Sequence, residues 1–184
     1  MHQFIFATSN SHKVTIAKGV CDEAGVEFEH KPIDLVEIQS DNAEEIALHK
    51  VRQAYEKFNE PVAVTDDSWI WPGLNGFPGP YMKYMNQWLT PKDFINLTKD
   101  LKDRRAIMRQ VIAYKDKDNE KVFVADIEGT LLKEIRGESK IAHFPIISFD
   151  GGEHSVAEDE ETRVKAIAKI DNAWHQLCDW LQQT

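Results

Sequence analysis

Two short stretches of the chain combine residue types that suit a polyphosphate and a divalent cation. The first is Thr8-Ser9-Asn10-Ser11-His12-Lys13, a T-x-N-x-x-K run between a β-prone segment and a segment with helical spacing. A helix N-terminus presents unpaired N–H groups and partial positive charge. A lysine in that first turn is unfavourable unless an anion lies close, and phosphate is the obvious anion. Thr8 and Asn10 add a hydroxyl and an amide donor. The same residues equally suit ordinary capping by Asn10 or Ser11, with Lys13 in solvent. The second stretch is Asp66-Asp67-Ser68, at the end of the apolar run Pro61-Val62-Ala63-Val64-Thr65. Ligands of α/β sheets gather at the carboxyl ends of strands. Adjacent carboxylates repel each other unless they share a cation. Mg²⁺, with Mn²⁺ as the alternative ion, takes carboxylate and phosphate oxygens together. The other reading is a polar turn in which Asp acts as a cap. Glu37, Lys50 and Lys83 are further charges near these stretches, and each taken alone reads as a solvated surface group.

The elements that must position these residues follow from patterning. Residues 3–8 read as a strand. Val14, Ala17, Val20 and Cys21 then recur at helical spacing until Gly25 stops the helix. A short strand is expected near Val26–His30, and a helix from Ala43 to Phe58 with Ile46, Ala47, Val51 and Ala54 on one face. Pro61–Thr65 reads as a buried strand, and the Pro- and Gly-rich segment Trp71–Tyr81 as a loop. Thr90-Pro91 looks like an N-cap with Pro at the first helical position, opening a helix to Leu101. Residues 105–114 and 121–132 read as strands joined by the turn Asp116-Lys117-Asp118-Asn119, with another strand near Ile141–Phe149. A final helix from Glu160 to Leu181 carries Val164, Ile167, Trp174, Leu177 and Leu181 on one face. Alternating strands and helices followed by a strand-rich middle predict an α/β domain with a mixed sheet.

The bulk properties narrow the partners. The chain has 184 residues, enough for one domain with a core. No linker or repeat interrupts it, so residues 1–184 read as a single domain. A formal net charge of -9 without a long basic run argues against a nucleic-acid polymer. A small triphosphate remains compatible if a few lysines converge on it. Cys21 and Cys178 belong to no CxxC or Cys/His cluster, which fits a reducing cytoplasmic setting and no structural zinc. No apolar run reaches the ~20 residues of a membrane span, and the N-terminal apolar run is too short for a signal peptide.

The motifs A-T-S-N-S-H-K, I-D-L-V-E-I-Q, E-I-A-L-H-K, V-T-D-D-S and G-F-P-G-P-Y-M-K occur in that order between Ile5 and Tyr84. In order and spacing the chain resembles the inosine triphosphate pyrophosphatase family of non-standard purine nucleoside triphosphate pyrophosphatases. The likeness is greatest to its eukaryotic branch, which reads T-G-N-x-x-K, I-D-L-P-E-x-Q, E-D-T and G-x-P-G-P-Y-I-K. The resemblance implies an elongated mixed β-sheet flanked by helices, with two lobes, an active cleft between them, and a homodimer. It implies Mg²⁺-dependent hydrolysis of a nucleoside triphosphate to the monophosphate and pyrophosphate. Thr8, Asn10 and Lys13 would bind phosphates. Glu37 and Asp67 would hold the metal with Asp66 beside them, and Asp67 would also take a proton from the attacking water. Lys50, Ser68 and Lys83 would contact the phosphate end. Such roles suit the reaction, because attack on a polyanion needs charge neutralisation, alignment and an activated water. The aromatic-rich Trp69-Ile70-Trp71-Pro72, read as a loop, also needs a covering surface, for which a second subunit or the protein's own lobe would serve.

The last third departs from the family. Its F-G-Y/W-D-P becomes Ile141-Ala142-His143-Phe144-Pro145, and its E-K-x-x-x-S-H-R becomes the run from Arg163 to Ile170. Ala157-Glu158 matches the family's Ala-Glu pair. Lys165, Lys169 or His143 are left to read a base edge and Phe144 or His143 to stack on a base, although Lys169 also reads as solvated and Phe144 as core. Three outcomes follow: an enzyme with relaxed or changed base choice, an inosine or xanthosine triphosphatase with different readers, or a nucleotide-binding relative that no longer turns over. Poor discrimination between inosine and xanthosine triphosphates, or preference for another base, is expected, because an apolar wall separates substituents weakly.

Overall fold

The computed structural model describes residues 3–158 and 171–183. The chain forms two compact units. One comprises Met1–Asp67, Gln110–Ala125 and Ile167–Thr184, and the other Ser68–Arg109 and Asp126–Ala166. The strands are β1 (Phe4–Ala7), β2 (Phe28–Lys31), β3 (Val62–Ile70), β4 (Pro78–Gly79), β5 (Arg105–Lys115), β6 (Glu120–Leu131) and β7 (Ile147–Ser148). They follow the sheet order β2-β1-β3-β5-β6-β7, with β4 against β3. The sheet is mixed: β1 runs parallel to β2 and β3, while β4 and β7 run antiparallel to β3 and β6. The helices are α1 (Ser11–Ala24), α2 (Ala43–Phe58), α3 (Met82–Trp88), α4 (Pro91–Thr98) and α5 (Ala173–Gln183).

In the first unit the alternation of strand side chains sorts two cores. Ile5, Ala7, Val62 and Val64 pack with Val111 and Ala113 against Ala43, Ala47, Val51 and Ala54 of α2. Phe4 and Phe6 point the other way, to Trp174 of α5, with ring centroids 6.4 and 4.8 Å away. On α1, Ile16, Ala17, Val20 and Cys21 form the buried stripe. Cys21 Sγ lies 3.7 Å from Cys178 Sγ of α5. Asn10 starts α1 by accepting the His12 and Lys13 N–H groups on its side chain. Gly25 ends it at φ 68°, a conformation that carries no Cβ penalty in glycine.

The second unit is built around buried Trp69, Trp71, Phe94, Phe144 and Ile146. Thr90 caps α4 through a reciprocal box with Asp93, and Pro91 occupies the first turn. Gly129 lies where any Cβ would come within 2.7 Å of the Ser148 carbonyl oxygen.

Several expectations need correction. β3 does not end at Thr65. It runs on to Ile70, so the Asp66-Asp67 pair is mid-strand. Pairing of Trp69 with Gly79 and Ile70 with Pro78 carries it on, although the two carboxylates interrupt the apolar run. Trp69 and Ile70 are therefore strand residues. Trp69 and Trp71 are buried beside His143 and Phe94 of their own unit, so they need no second subunit to cover them. Helix α3 was not expected, because its neighbours Gly79-Pro80 read as loop. The 141–149 segment is largely a 3-10 turn at Phe144–Ile146, with a two-residue strand after it. Of the expected C-terminal helix, Ala173–Gln183 is seen, and Val164, Lys165, Ile167 and Lys169 lie outside the described residues.

Candidate functional site

The first unit gathers five of the charged candidates around the middle of β3. Along that strand Val62 and Val64 face α2, so alternation puts Asp66 on the α2 side and Thr65 with Asp67 on the α1 side. The ion pairs agree. Lys13 Nζ of α1 lies 3.3 Å from Asp67 Oδ2. Lys50 Nζ of α2 lies 3.9 Å from Asp66 Oδ2 and 3.3 Å from Glu37 Oε1. Both lysines also donate to the Thr65 carbonyl oxygen, at 3.5 Å from Lys13 and 3.2 Å from Lys50. Chain topology explains why that carbonyl is available. Ile5 N donates to Pro61 O, so the carbonyls of residues 61, 63 and 65 face β1. β1 ends at Ala7, and the chain leaves the strand before it can supply an amide to Thr65. The lysines take that place, one from each side of the sheet.

The loop between β1 and α1 is held at both ends. Thr8 N donates to Lys31 O, and His30 Nε2 lies 2.8 Å from Thr8 O. Thr8 Oγ1 accepts from Asn10 N at 3.1 Å. Asn10 serves as the N-cap, as the plainer sequence reading has it. Lys13, however, is turned back onto β3 and is not simply solvated. Ser68 follows Asp67 on β3 and is buried, and Lys83 lies in the first turn of α3; both belong to the second unit.

Burial pushes the Asp66 carboxyl above its ordinary range, against the pull of Lys50 and Lys13, and Asp67 and Glu37 push it the same way as burial. Asp66 Oδ2 and Asp67 Oδ1 are buried with no hydrogen-bond partner among the described residues. Buried acceptors of that kind are costly, and each calls for an explanation. Carboxylate oxygens left this way suit a hard divalent cation. Glu37, Asp66 and Asp67 do not form a group with ligand atoms within 4.8 Å of one another; Lys50 pairs with Glu37 and Asp66, and Lys13 with Asp67. The three-residue group with ligand atoms within 4.8 Å of one another, among the described residues, is the exposed set Asp150, Glu153 and His154. It belongs to the second unit and joins none of the candidates.

Thr65 is the residue that sequence reasoning missed. Its part in the site comes from the strand register and the end of β1; it stands within the V-T-D-D-S run, but the residue types there point to the two carboxylates and not to it. His143 and Phe144, considered as base readers, are buried in the second unit's aromatic core. His143 Nδ1 lies 2.9 Å from Asn86 Oδ1, and its ring packs at 4.7 Å on Trp69 and 4.9 Å on Phe144. Phe144 is thus core, as the plainer reading had it. No helix among the described residues is long and apolar enough to cross a membrane.

Residues 4–180 match the model of the Ham1 family. Curated relatives named dITP/XTP pyrophosphatase include one from Hyperthermus butylicus, 29% identical over 97% of this chain and 94% of the relative. One from Methanopyrus kandleri is 31% identical over 96% and 94%. One from Methanosarcina mazei is 32% identical over 88% of each. The fold is shared with a HAM1 protein from Coxiella burnetii, at a TM-score of 0.81 and 21% identity over the whole of both chains. It is shared as well with the Ham1 protein of Staphylococcus aureus, at a TM-score of 0.77 and 23% identity over 97% of this chain and 98% of the other.

Proposed function

The chain belongs to the Ham1 family, and from that premise we propose that it is a nucleoside triphosphate pyrophosphatase. It hydrolyses non-standard purine nucleotides of the inosine and xanthosine type between the α- and β-phosphates, giving the monophosphate and pyrophosphate. The relatives' name, dITP/XTP pyrophosphatase, supports the substrate class. The observation that carries the reading is the convergence of Lys13 and Lys50 on the Thr65 carbonyl, flanked by Glu37, Asp66 and Asp67. Two facing ammonium groups neutralise part of a triphosphate's charge, and Thr8 and Asn10 lie at the α1 terminus to meet the phosphates. Asp67 accepts the proton of the attacking water, and Asp66 lies beside it. Glu37 and Asp67 would hold Mg²⁺, or Mn²⁺ in its place. The ion would supply charge neutralisation to the phosphate oxygens. Ser68 and Lys83 contact the phosphate end of the nucleotide in this reading, which the likeness to the family supports.

The setting proposed with this activity is the cytoplasm, with the protein as a homodimer that engages neither nucleic-acid polymers nor membranes. The test is a pyrophosphate-release screen over inosine, xanthosine, the four standard and several modified triphosphates, run with Mg²⁺ and with chelator. Mg²⁺-dependent release from inosine and xanthosine triphosphates is expected. No release from any triphosphate would leave a nucleotide-binding relative without turnover and would overturn the reading.

A further inference from the structure

Thr65 carries a hydroxyl that its own fold does not use. The residue is 5% exposed, and Oγ1 is buried with no hydrogen-bond partner among the described residues. An unmade hydrogen bond of this kind destabilises the fold. Valine has nearly the same shape, lacks the polar atom and suits a strand at least as well. Stability alone therefore does not account for threonine here.

The surroundings give the hydroxyl a use. Strand alternation places the Thr65 and Asp67 side chains on the same side of β3, the side of α1. Lys13 holds Asp67 through Oδ2 at 3.3 Å, while Asp67 Oδ1 is buried and, like Thr65 Oγ1, without a partner among the described residues. Two unused acceptors on one strand face, two residues apart, suit a molecule that donates two hydrogen bonds. Lys13 Nζ, 3.5 Å from the Thr65 carbonyl oxygen, marks the phosphate side of the same place.

We propose that Thr65 positions the attacking water, a role that rests on the pyrophosphatase reading. The water donates one hydrogen to Asp67 Oδ1 and the other to Thr65 Oγ1, which leaves a lone pair directed at phosphorus. As its oxygen bonds to phosphorus, the proton on the Asp67 side passes to that carboxylate. The α–β anhydride P–O bond breaks, its electron pair stays on the bridging oxygen of the departing group, and the two halves separate as the nucleoside monophosphate and pyrophosphate. Thr65 keeps its own proton throughout and sets only the orientation of the water.

The test compares wild type with Thr65→Val, Thr65→Ala and Thr65→Ser, using the triphosphate that wild type cleaves fastest. It reads kcat, KM and the thermal midpoint. Thr65→Val is expected to lower kcat by about tenfold or more through lost alignment, with KM little changed and a thermal midpoint equal to or above that of wild type. Thr65→Ser keeps the hydroxyl and should keep most of kcat. Thr65→Ala repeats the kcat loss without the branched side chain, so the proposal stays testable if the valine variant folds poorly. A wild-type kcat in both hydroxyl-free variants, a serine variant as slow as they are, or an effect confined to KM would overturn the proposal. Absence of pyrophosphate release in wild type would instead sink the parent reading.

Discussion

Lys50 stands between two carboxylates, and its removal should be costly in a way that a second substitution repairs. Its ammonium group is largely buried against Glu37, Asp66 and the Thr65 carbonyl. Removing one partner of a buried charge pair leaves the other uncompensated, at a cost of about 3–5 kcal/mol when the pair is tight. Asp66 lies at 3.9 Å, so the lower end of that range, about 3 kcal/mol, is expected for Lys50→Met. Burial already holds the Asp66 carboxyl above its ordinary range, which means that its ionised form is penalised at neutral pH. Asp66→Asn in the Lys50→Met background should therefore recover much of the lost stability. Urea melts of both singles and the double, in chelator, measure this coupling. Strict additivity would show that the two charges do not sense each other. At this scale the site was largely legible: Lys13, Lys50, Glu37, Asp66 and Asp67 all stood in recognisable motifs, and the first unit brings them together. The role of Thr65, although it stands within V-T-D-D-S, was not legible, because it depends on where β1 stops.

After β7, the turn beyond Ser148 depends on one carboxylate. Asp150 accepts from the Ser148 hydroxyl at 2.7 Å, from the His154 amide and from the His154 ring at 2.8 Å. Burial pushes this carboxyl up, but the bonds from Ser148 and His154 outweigh it and hold it well below the usual carboxylate range. A folded-state value below the unfolded one adds stability that is complete above the unfolded pKa, about 3.9. That stability is lost as pH falls toward the folded value. Asp150→Asn should thus lower the thermal midpoint at pH 7, and the difference from wild type should shrink below about pH 4. A constant difference across that range would show that the carboxylate's charge is irrelevant to the turn. Among the elements, α2 was read with its observed ends because Asn42 and Asn59 bracket a clear apolar stripe. β3 was cut short because Asp66 and Asp67 look like an ending, whereas β4 pairing carries the strand past them. Helix α3 has just one buried residue, Met82, and so shows no apolar periodicity in the sequence.

For the whole molecule, Trp69 and Trp71 are covered within their own unit and call for no second subunit. A homodimer is expected from the likeness to the family and from the exposed face of α3. On α3, Trp88 is 72% and Tyr84 42% exposed, with their rings 6.0 Å apart. Exposed aromatic pairs of this size mark contact surfaces. Light scattering should give twice the chain mass, and Trp88→Glu should reduce it to the chain mass. A monomeric wild type at micromolar concentration would contradict this. Base choice was the least legible property of the sequence. Phe144 is core, His143 is engaged with Asn86, and Lys165 and Lys169 lie outside the described residues. The central claim is the chemistry at β3, and the most direct measurement is chromatographic identification of the first products from inosine triphosphate with Mg²⁺, for wild type and Asp67→Asn. The expected result is inosine monophosphate and pyrophosphate in equal amounts from wild type, and turnover lower by about a hundredfold or more in a folded Asp67→Asn. Inosine diphosphate and orthophosphate as first products, or a near-normal rate in Asp67→Asn, would contradict it.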